Sequence, residues 1–372
     1  MEREVAFLAR EALQTLLDVL HAQGYRCIAP QVRDGAIVFD TLASVDALPH
    51  GVRDAQAPGS YRLEQRGDAL CFAWAAPAQS VKPWVFQPEE TLWRCERDDS
   101  GLRFEPDEPE PVPLAVLGAR ACDLAGLYLQ DRHFLRETLP DPHYRARRRH
   151  LFLVAVHCTH PAETCFCVST GDGPRAAYGY DLALTELEQG FLVEWRSAAG
   201  RTVWDALPLR PATAEEIATG QAAVAAAARR QQRRLPAASR LRTLFDRLED
   251  ARWEEVAARC LGCGNCTAVC PSCFCFREEE TAEGFGDSPH ASVHRRCWDS
   301  CFDPGHSYLH GWVVRPDLHT RYRQWLTHKL AGWQMQYGRP GCTGCGRCIT
   351  WCPVGIDLVA EARALCGEGT DD

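Results

Sequence analysis

Cys260-Leu-Gly-Cys263-Gly-Asn-Cys266-Thr-Ala-Val-Cys270-Pro271 and Cys342-Thr-Gly-Cys345-Gly-Arg-Cys348-Ile-Thr-Trp-Cys352-Pro353 decide how the rest of the chain is read. Both follow C-x2-C-x2-C-x3-C-P residue for residue. A single C-x-x-C is weak, because zinc sites and redox dithiols share it. A twelve-residue pattern that occurs twice, each time with its proline, is specific. Zinc and plain disulfides are the bland alternatives.

The spacing points to iron–sulfur chemistry. In this pattern three cysteines of each run hold one [4Fe–4S] cubane and the fourth ligates the other. Cys260, Cys263, Cys266 and Cys352 are then expected around one cluster, and Cys342, Cys345, Cys348 and Cys270 around a second. Three thiolates so close in sequence need a tightly wrapped backbone, which Gly262, Gly264, Gly344 and Gly346 allow by lacking a Cβ. The proline after the fourth cysteine lacks an N–H and ends the turn.

The totals agree. With 372 residues the chain can build two or three domains. Twenty cysteines in a chain of this length do not suit a small disulfide-stapled secreted domain. Residues 3–23 read as an amphipathic charged helix rather than a signal peptide, and no apolar run approaches a membrane span. A soluble, reducing, cytoplasmic setting is expected. The net charge of −9 argues against nucleic-acid binding. Two basic patches, Arg145 with Arg147 to Arg149 and Arg229 with Arg230, Arg233 and Arg234, read as solvated helix faces or as docking sites for an acidic partner.

In chain order, strand-like runs at Tyr25–Ala29, Ala36–Phe39, Tyr61–Gln65 and Ala69–Trp74 follow the first helix. The acidic, proline-rich residues 96–113 read as a surface loop. Pro113–Gly118 reads as a buried strand. A helix runs from Asp123 to about Leu135, with Leu124, Leu127, Tyr128 and Phe134 inward, and Leu151–Val156 reads as a second buried strand. This β-α-β unit predicts parallel strands. Residues 181–205 suggest a strand pair. Residues 212–234 suggest a solvent-facing connecting helix ended near Pro236, and residues 239–259 two short helices. Tyr322–Trp333 reads as an amphipathic helix.

Cys122 and Cys158 stand just past the ends of the two buried strands, the edge where sites form in open α/β sheets. Cys165 and Cys167 follow in one short loop. These four are the expected ligands of a third [4Fe–4S] cluster; ordinary buried thiols and a zinc site are the alternatives. Cys273, Cys275, Cys297 and Cys301 are left over, to line the cluster surroundings or hold an additional metal. Cys27, Cys71, Cys95 and Cys366 read as structural.

Other motifs fail. Cys266, Cys270 and Cys273 have the radical S-adenosylmethionine spacing but too little chain after them for its barrel. No G-x-G-x-x-G, P-loop or G-x-S-x-G occurs, and His306 with His310 lacks the glutamate of a zincin. No catalytic residues are assigned.

Residues 260–276, Trp-Asp-Ser-Cys-Phe at 298–302, residues 321–330 and residues 341–357 resemble the β (iron–sulfur) subunit of soluble NAD(P)-linked [NiFe] hydrogenases, the sulfhydrogenases. Gly-Ala-Arg-Ala-Cys-Asp-Leu (118–124) and Thr-Cys-Phe-Cys-Val-Ser (164–169) resemble it too, and the A subunit of anaerobic sulfite reductase is a close relative. Ala121, where proline is usual, and Cys297 are departures. The resemblance implies an electron relay between a flavin/NAD(P)H-binding subunit and a [NiFe] hydrogenase pair, or sulfite reductase subunits, with no hydride-transfer or hydrogen-activating site on this chain. A stand-alone iron–sulfur oxidoreductase and a zinc-stabilised binding module are the competing classes.

The expected fold class is α+β. An N-terminal mixed α/β domain (1–210) is joined by a helical linker (211–238) to a helical, ferredoxin-like dicluster domain (239–372) with an insert at 276–341.

Overall fold

Leu114–Ala119 and Leu151–Val156 are buried at every position, which is what a parallel strand covered on both faces requires. They pair in parallel, as the β-α-β reading expects. The computed structural model describes residues 4–110, 112–283 and 291–368. Pro111 in the acidic stretch and 284–290 in the insert lie outside these, as do the chain ends.

The two strands are the centre of an eight-stranded mixed sheet. Its order is Arg210–Pro211, Val5–Ala9, Gly190–Trp195, Leu182–Glu186, Leu151–Val156, Leu114–Ala119, Arg26–Arg33, Ala36–Thr41. The helix Ala121–Phe134 packs Leu124, Leu127 and Phe134 onto one face. The helix Leu13–Ala22 packs Leu13, Leu16, Leu17 and Leu20 onto the other. The dicluster half has its own core of Trp253, Tyr322, Trp325, Leu326, Leu330 and Ile349. Phe166 from the N-terminal half completes it. No helix of the described residues is long and apolar enough to cross a membrane.

Four local expectations are corrected. Residues 3–23 are not one helix: Val5–Ala9 is a strand, antiparallel to Gly190–Trp195, and the helix starts at Leu13. Burial of Phe7 and Leu8 in the sheet outweighs helical periodicity. Residues 96–113 are only in part loop, because Glu89–Asp98 and Gly101–Pro106 form a hairpin. Ala69–Trp74 is irregular chain, buried from Cys71 on, with the Phe72 and Trp74 carbonyls bound by a buried arginine rather than by a strand. Tyr128 is 41% exposed, not inward.

The C-terminal half is also not purely helical. Phe276–Glu283 and Ala291–Trp298 form a hairpin that joins Glu89–Asp98 and Gly101–Pro106 in a four-stranded sheet. The insert therefore reaches back onto the N-terminal half. Tyr322–Trp333 is built as a helix Leu318–Thr327, a π-turn at His328–Gly332 and a helix Trp333–Tyr337. The connecting helix spans Ala214–Arg230, with a Thr213–Glu216 capping box at its start.

Both basic patches are partly engaged within the chain, while Arg145, Arg149 and Arg229 stay exposed as solvated helix faces would. Arg147 pairs with Glu90 at 2.6 Å and Arg148 with Asp131 at 3.0 Å. Arg230 donates to the Thr159 carbonyl, and Arg233 pairs with Asp357 at 2.7 Å.

Candidate metal centre

The two cysteine loops have the same backbone. Gly262 and Gly344 both sit at φ 65°, and Gly264 and Gly346 at 73° and 77°. In each loop the glycine two residues on donates its N–H to the first cysteine sulfur: Gly262 to Cys260 at 3.4 Å, and Gly344 to Cys342 at 3.4 Å. A short helical turn follows in each, Asn265–Ala268 and Arg347–Thr350. It carries the fourth cysteine away from the first three.

The thiols fall into two groups. One cavity is lined by Cys260, Cys263, Cys266, Cys348 and Cys352. A second is lined by Cys266, Cys270, Cys342, Cys345 and Cys348. Each loop thus contributes its fourth cysteine to the cavity of the other. Cys266 and Cys348, present in both, are where the cavities meet.

The donor chemistry suits a cationic inorganic core. Burial pushes the Cys266 and Cys348 thiols far up, and the Cys342 thiol up to about 12. Such thiols ionise only with a cation or metal beside them. Among the side chains lining the cavities, Tyr322 Oη, Trp325 Nε1 and Thr343 Oγ1 have no hydrogen-bond partner among the described residues. Donors left free in a buried sulfur site match the acceptor capacity of cluster sulfides. Among the described residues, no three or more His, Cys, Asp or Glu side chains could hold a single metal ion.

Cys122, Cys158, Cys165 and Cys167 also approach one another. Cys165 feels Cys158 and Cys167 as charged neighbours, and Cys122 feels Cys167. Burial pushes the Cys122 and Cys165 thiols well up and the Cys167 thiol to about 12. The Gln231 side chain, just past the connecting helix, contacts Cys167 Sγ at 3.2 Å.

This group abuts the second cysteine loop. The Phe166 N–H donates to the Gly344 carbonyl at 2.8 Å. A Cβ on Gly344 would lie 2.5 Å from Cys167 backbone, and one on Gly346 2.5 Å from the Thr164 carbonyl oxygen. Cys345 lies within electrostatic reach of both Cys122 and Cys167. In this loop the glycines admit the neighbouring chain as well as wrapping the sulfurs.

Several charged residues escaped the motif reading. Arg347, inside the second loop, is fully buried against Asp123 at 2.8 Å and donates to the Pro77 carbonyl at 2.6 Å. Arg120 donates to the Phe72, Trp74, Ala75 and Val156 carbonyls and lies 4.1 Å from the Trp74 ring centre. Lys329 contacts Ser272 Oγ at 3.1 Å beside Cys270 and Cys342. Lys82 donates to the Ala268 carbonyl at 2.9 Å and lies 3.8 Å from the Trp298 ring centre. Burial lowers the Lys82 ammonium to about 8. The only sequence signal was an arginine and an aspartate flanking a cysteine at a strand end (118–124), and an arginine within a cysteine loop.

Cys27, Cys71, Cys95 and Cys366 are buried, Cys366 in the core of the dicluster half. Cys297 is buried beside Glu279. Cys273 lies against Cys270, and Cys275 against Cys301. His310 is a left-handed turn residue at φ 45°.

The comparisons with known proteins match this geometry. Residues 259–356 match the 4Fe-4S dicluster domain, and residues 223–274 match a second domain model of the same description. The chain is 29% identical over 309 residues to sulfhydrogenase 2 subunit beta of Pyrococcus furiosus, which covers 81% of this chain and 87% of that protein. The resemblance read from the motifs therefore extends well beyond the cysteine loops, and the chain is an iron–sulfur protein with a 4Fe–4S dicluster domain.

Proposed function

We propose that this chain is the electron-transfer iron–sulfur subunit of a hydrogenase-type complex in a reducing, cytoplasmic setting. It relays electrons between a flavin/NAD(P)H-oxidoreductase subunit and a [NiFe] hydrogenase. The reading assigns Cys260, Cys263, Cys266 and Cys352 to one cluster, and Cys342, Cys345, Cys348 and Cys270 to a second. Cys122, Cys158, Cys165 and Cys167 hold a third.

One observation carries it: the three thiol groups are contiguous. Cys263 is exposed at one end of the series. Cys266 and Cys348 are shared between the first two cavities. Cys345 neighbours both Cys122 and Cys167 at the other end. A linear series of one-electron sites with an open end is suited to conduction.

When bound, each cluster supplies reversible one-electron redox chemistry, with a potential set by burial, hydrogen bonds to sulfur and nearby charge. The chain provides these terms with its own residues. Gly262 and Gly344 N–H groups donate to sulfur. Ile356 N–H donates to Cys352 Sγ at 3.3 Å. Lys329 and Arg347 place buried positive charge beside the second thiol group and favour added electrons there. Trp325, Tyr322 and Phe302 wall off water from the first cavity.

Iron and acid-labile sulfide counted on anaerobically purified protein test the reading. About twelve of each per chain is expected from three cubanes, and about eight would remove the third. Cys263→Ser and Cys345→Ser should each lose about four irons and interrupt electron flow to the partner subunits. Undiminished flow in either variant would refute the relay.

A further inference from the structure

Four side chains outside the cluster assignment, Cys275, Cys301, His306 and Asp299, form a further sulfur site. Cys275 precedes the strand Phe276–Glu283, and its carbonyl accepts the Asp299 N–H at 3.0 Å. That bond pins the chain so that Cys301, two residues on, lies within hydrogen-bonding reach of Cys275 Sγ. His306 bridges Cys275 to a carboxylate, its Nδ1 against Asp299 Oδ2 at 2.5 Å. Asp299 is 4% exposed in its side chain and also accepts the Ser300 N–H at 2.7 Å, so the carboxylate is fixed.

The site has an opening. A cavity of about 220 Å³ is lined by Cys275 and Asp299 together with Lys82, Arg277, Trp298 and Asp303. Cys275 is half-buried at its wall, while Cys301 is buried behind it. One thiol is thus reachable from the cavity, a second stands ready to displace, and an imidazole held by a carboxylate touches the first. The thiol contact lowers the Cys301 thiol from its ordinary value, because Cys275 S–H donates to it. The His306 imidazolium is raised to about 10 by Asp299 and Cys275. The same contact raises the Cys275 thiol, so the two sulfurs hold one proton between them with the His306 imidazolium against Cys275; as Cys275 attacks, that proton passes to Cys301.

We propose that Cys275 and Cys301 form a redox-active dithiol/disulfide pair that exchanges with small disulfides entering this cavity. Cys275 attacks one sulfur of R–S–S–R, forms a mixed disulfide and releases RS⁻. Cys301 then attacks the Cys275 sulfur, closing the Cys275–Cys301 bond and releasing the second RS⁻. The proton held by the pair leaves on one RS⁻ and the other RS⁻ takes a proton from solvent, so one disulfide, the thiol–thiolate pair and one proton become one protein disulfide and two RSH. Resetting the pair to thiol and thiolate consumes two electrons and one proton. That supply, from one-electron donors of low potential, rests on the relay reading above; the exchange chemistry does not.

Differential alkylation of the intact, cluster-loaded chain across a series of reduced-to-oxidised dithiothreitol ratios, read by peptide mass spectrometry, tests this. Cys275 and Cys301 should lose alkylation together and appear as one cross-linked peptide pair, reversed by reduced dithiothreitol. His306→Gln should slow cross-link formation by about tenfold as the imidazolium is lost. Cys275→Ser and Cys301→Ser should abolish the cross-link and keep the wild-type iron count. Both thiols remaining alkylated at the oxidising end, a cross-link from Cys273 to Cys270 instead, or loss of iron in either serine variant would overturn the proposal. Iron content and cross-linking are separate readouts, so failure of the relay reading and failure of this one are distinguishable.

Discussion

The two cysteine loops share a motif and a backbone, yet they occupy opposite environments. In the first, Cys263 is exposed and Leu261 is 66% exposed. In the second, Cys342 and Cys345 are buried and the loop is clamped against Thr164–Cys167. The residue before the third cysteine marks the difference. Asn265 is exposed and donates its side-chain amide to the Trp351 carbonyl at 3.3 Å, whereas Arg347 is sealed against Asp123. One sequence pattern thus stands at an exposed edge in one copy and at the joint between two halves of the molecule in the other. The motif sets what is bound; the surroundings set which way it faces.

Exchanging the distinguishing residues should break this asymmetry most strongly. Arg347→Asn copies the first loop into the second and strands Asp123 without its counter-charge, so a loss of about 3–5 kcal/mol in urea unfolding is expected. The reverse change, Asn265→Arg, should cost under about 0.5 kcal/mol at a solvent-facing loop. Equal costs for the two would mean that the loops are not differently embedded.

A methyl group probes the same contrast more gently. Gly346→Ala places a Cβ 2.5 Å from the Thr164 carbonyl oxygen at φ 77°, and a loss of about 3 kcal/mol or more is expected. At the matching Gly264 the nearest atom is Ser300 Oγ, 3.1 Å away. There only the left-handed backbone strain of about 1–2 kcal/mol should be felt. Thermal unfolding of both variants with clusters loaded measures the gap.

The smallest effect concerns acid. The insert that packs behind the first loop is held through Arg296, which pairs with Glu90 and Asp141. Burial alone would raise the Glu90 carboxyl, but His143, Arg296 and Arg147 overcome this and hold it at about 2. Its folded value lies below the unfolded one of about 4.3. The stability it supplies is therefore present above that value and lost as pH falls through about 2. Glu90→Gln should flatten the pH dependence of stability in that window. Hydrogen exchange should show acid loosening Ala291–Trp298 and the first loop before the second; simultaneous loosening of both loops would contradict the asymmetry.

Much of this was legible in the sequence, for identifiable reasons. Cluster spacing is a local property, so both loops could be read directly, as could the Leu114–Ala119 and Leu151–Val156 strands, whose apolar runs admit few alternatives. The hairpin at Glu89–Pro106 was hidden because its partner strands lie almost two hundred residues on and its outer strand is exposed throughout. The strand at Val5–Ala9 was hidden because five apolar residues fit a helix face as well as a buried strand. In the site, cysteines announce themselves, but a buried arginine or lysine looks like any surface charge until its neighbours are in place. Arg347, Arg120, Lys82 and Lys329 take their meaning from contacts made across the fold.

Electron paramagnetic resonance of dithionite-reduced, iron-replete protein addresses the contiguous series most directly. Reduced cubanes as close as the shared Cys266 and Cys348 imply should give a broadened, spin-coupled signal. Cys352→Ser, a ligand taken from the far loop, should simplify that signal by removing the first centre alone. A silent spectrum from fully loaded protein, or isolated uncoupled signals, would contradict it.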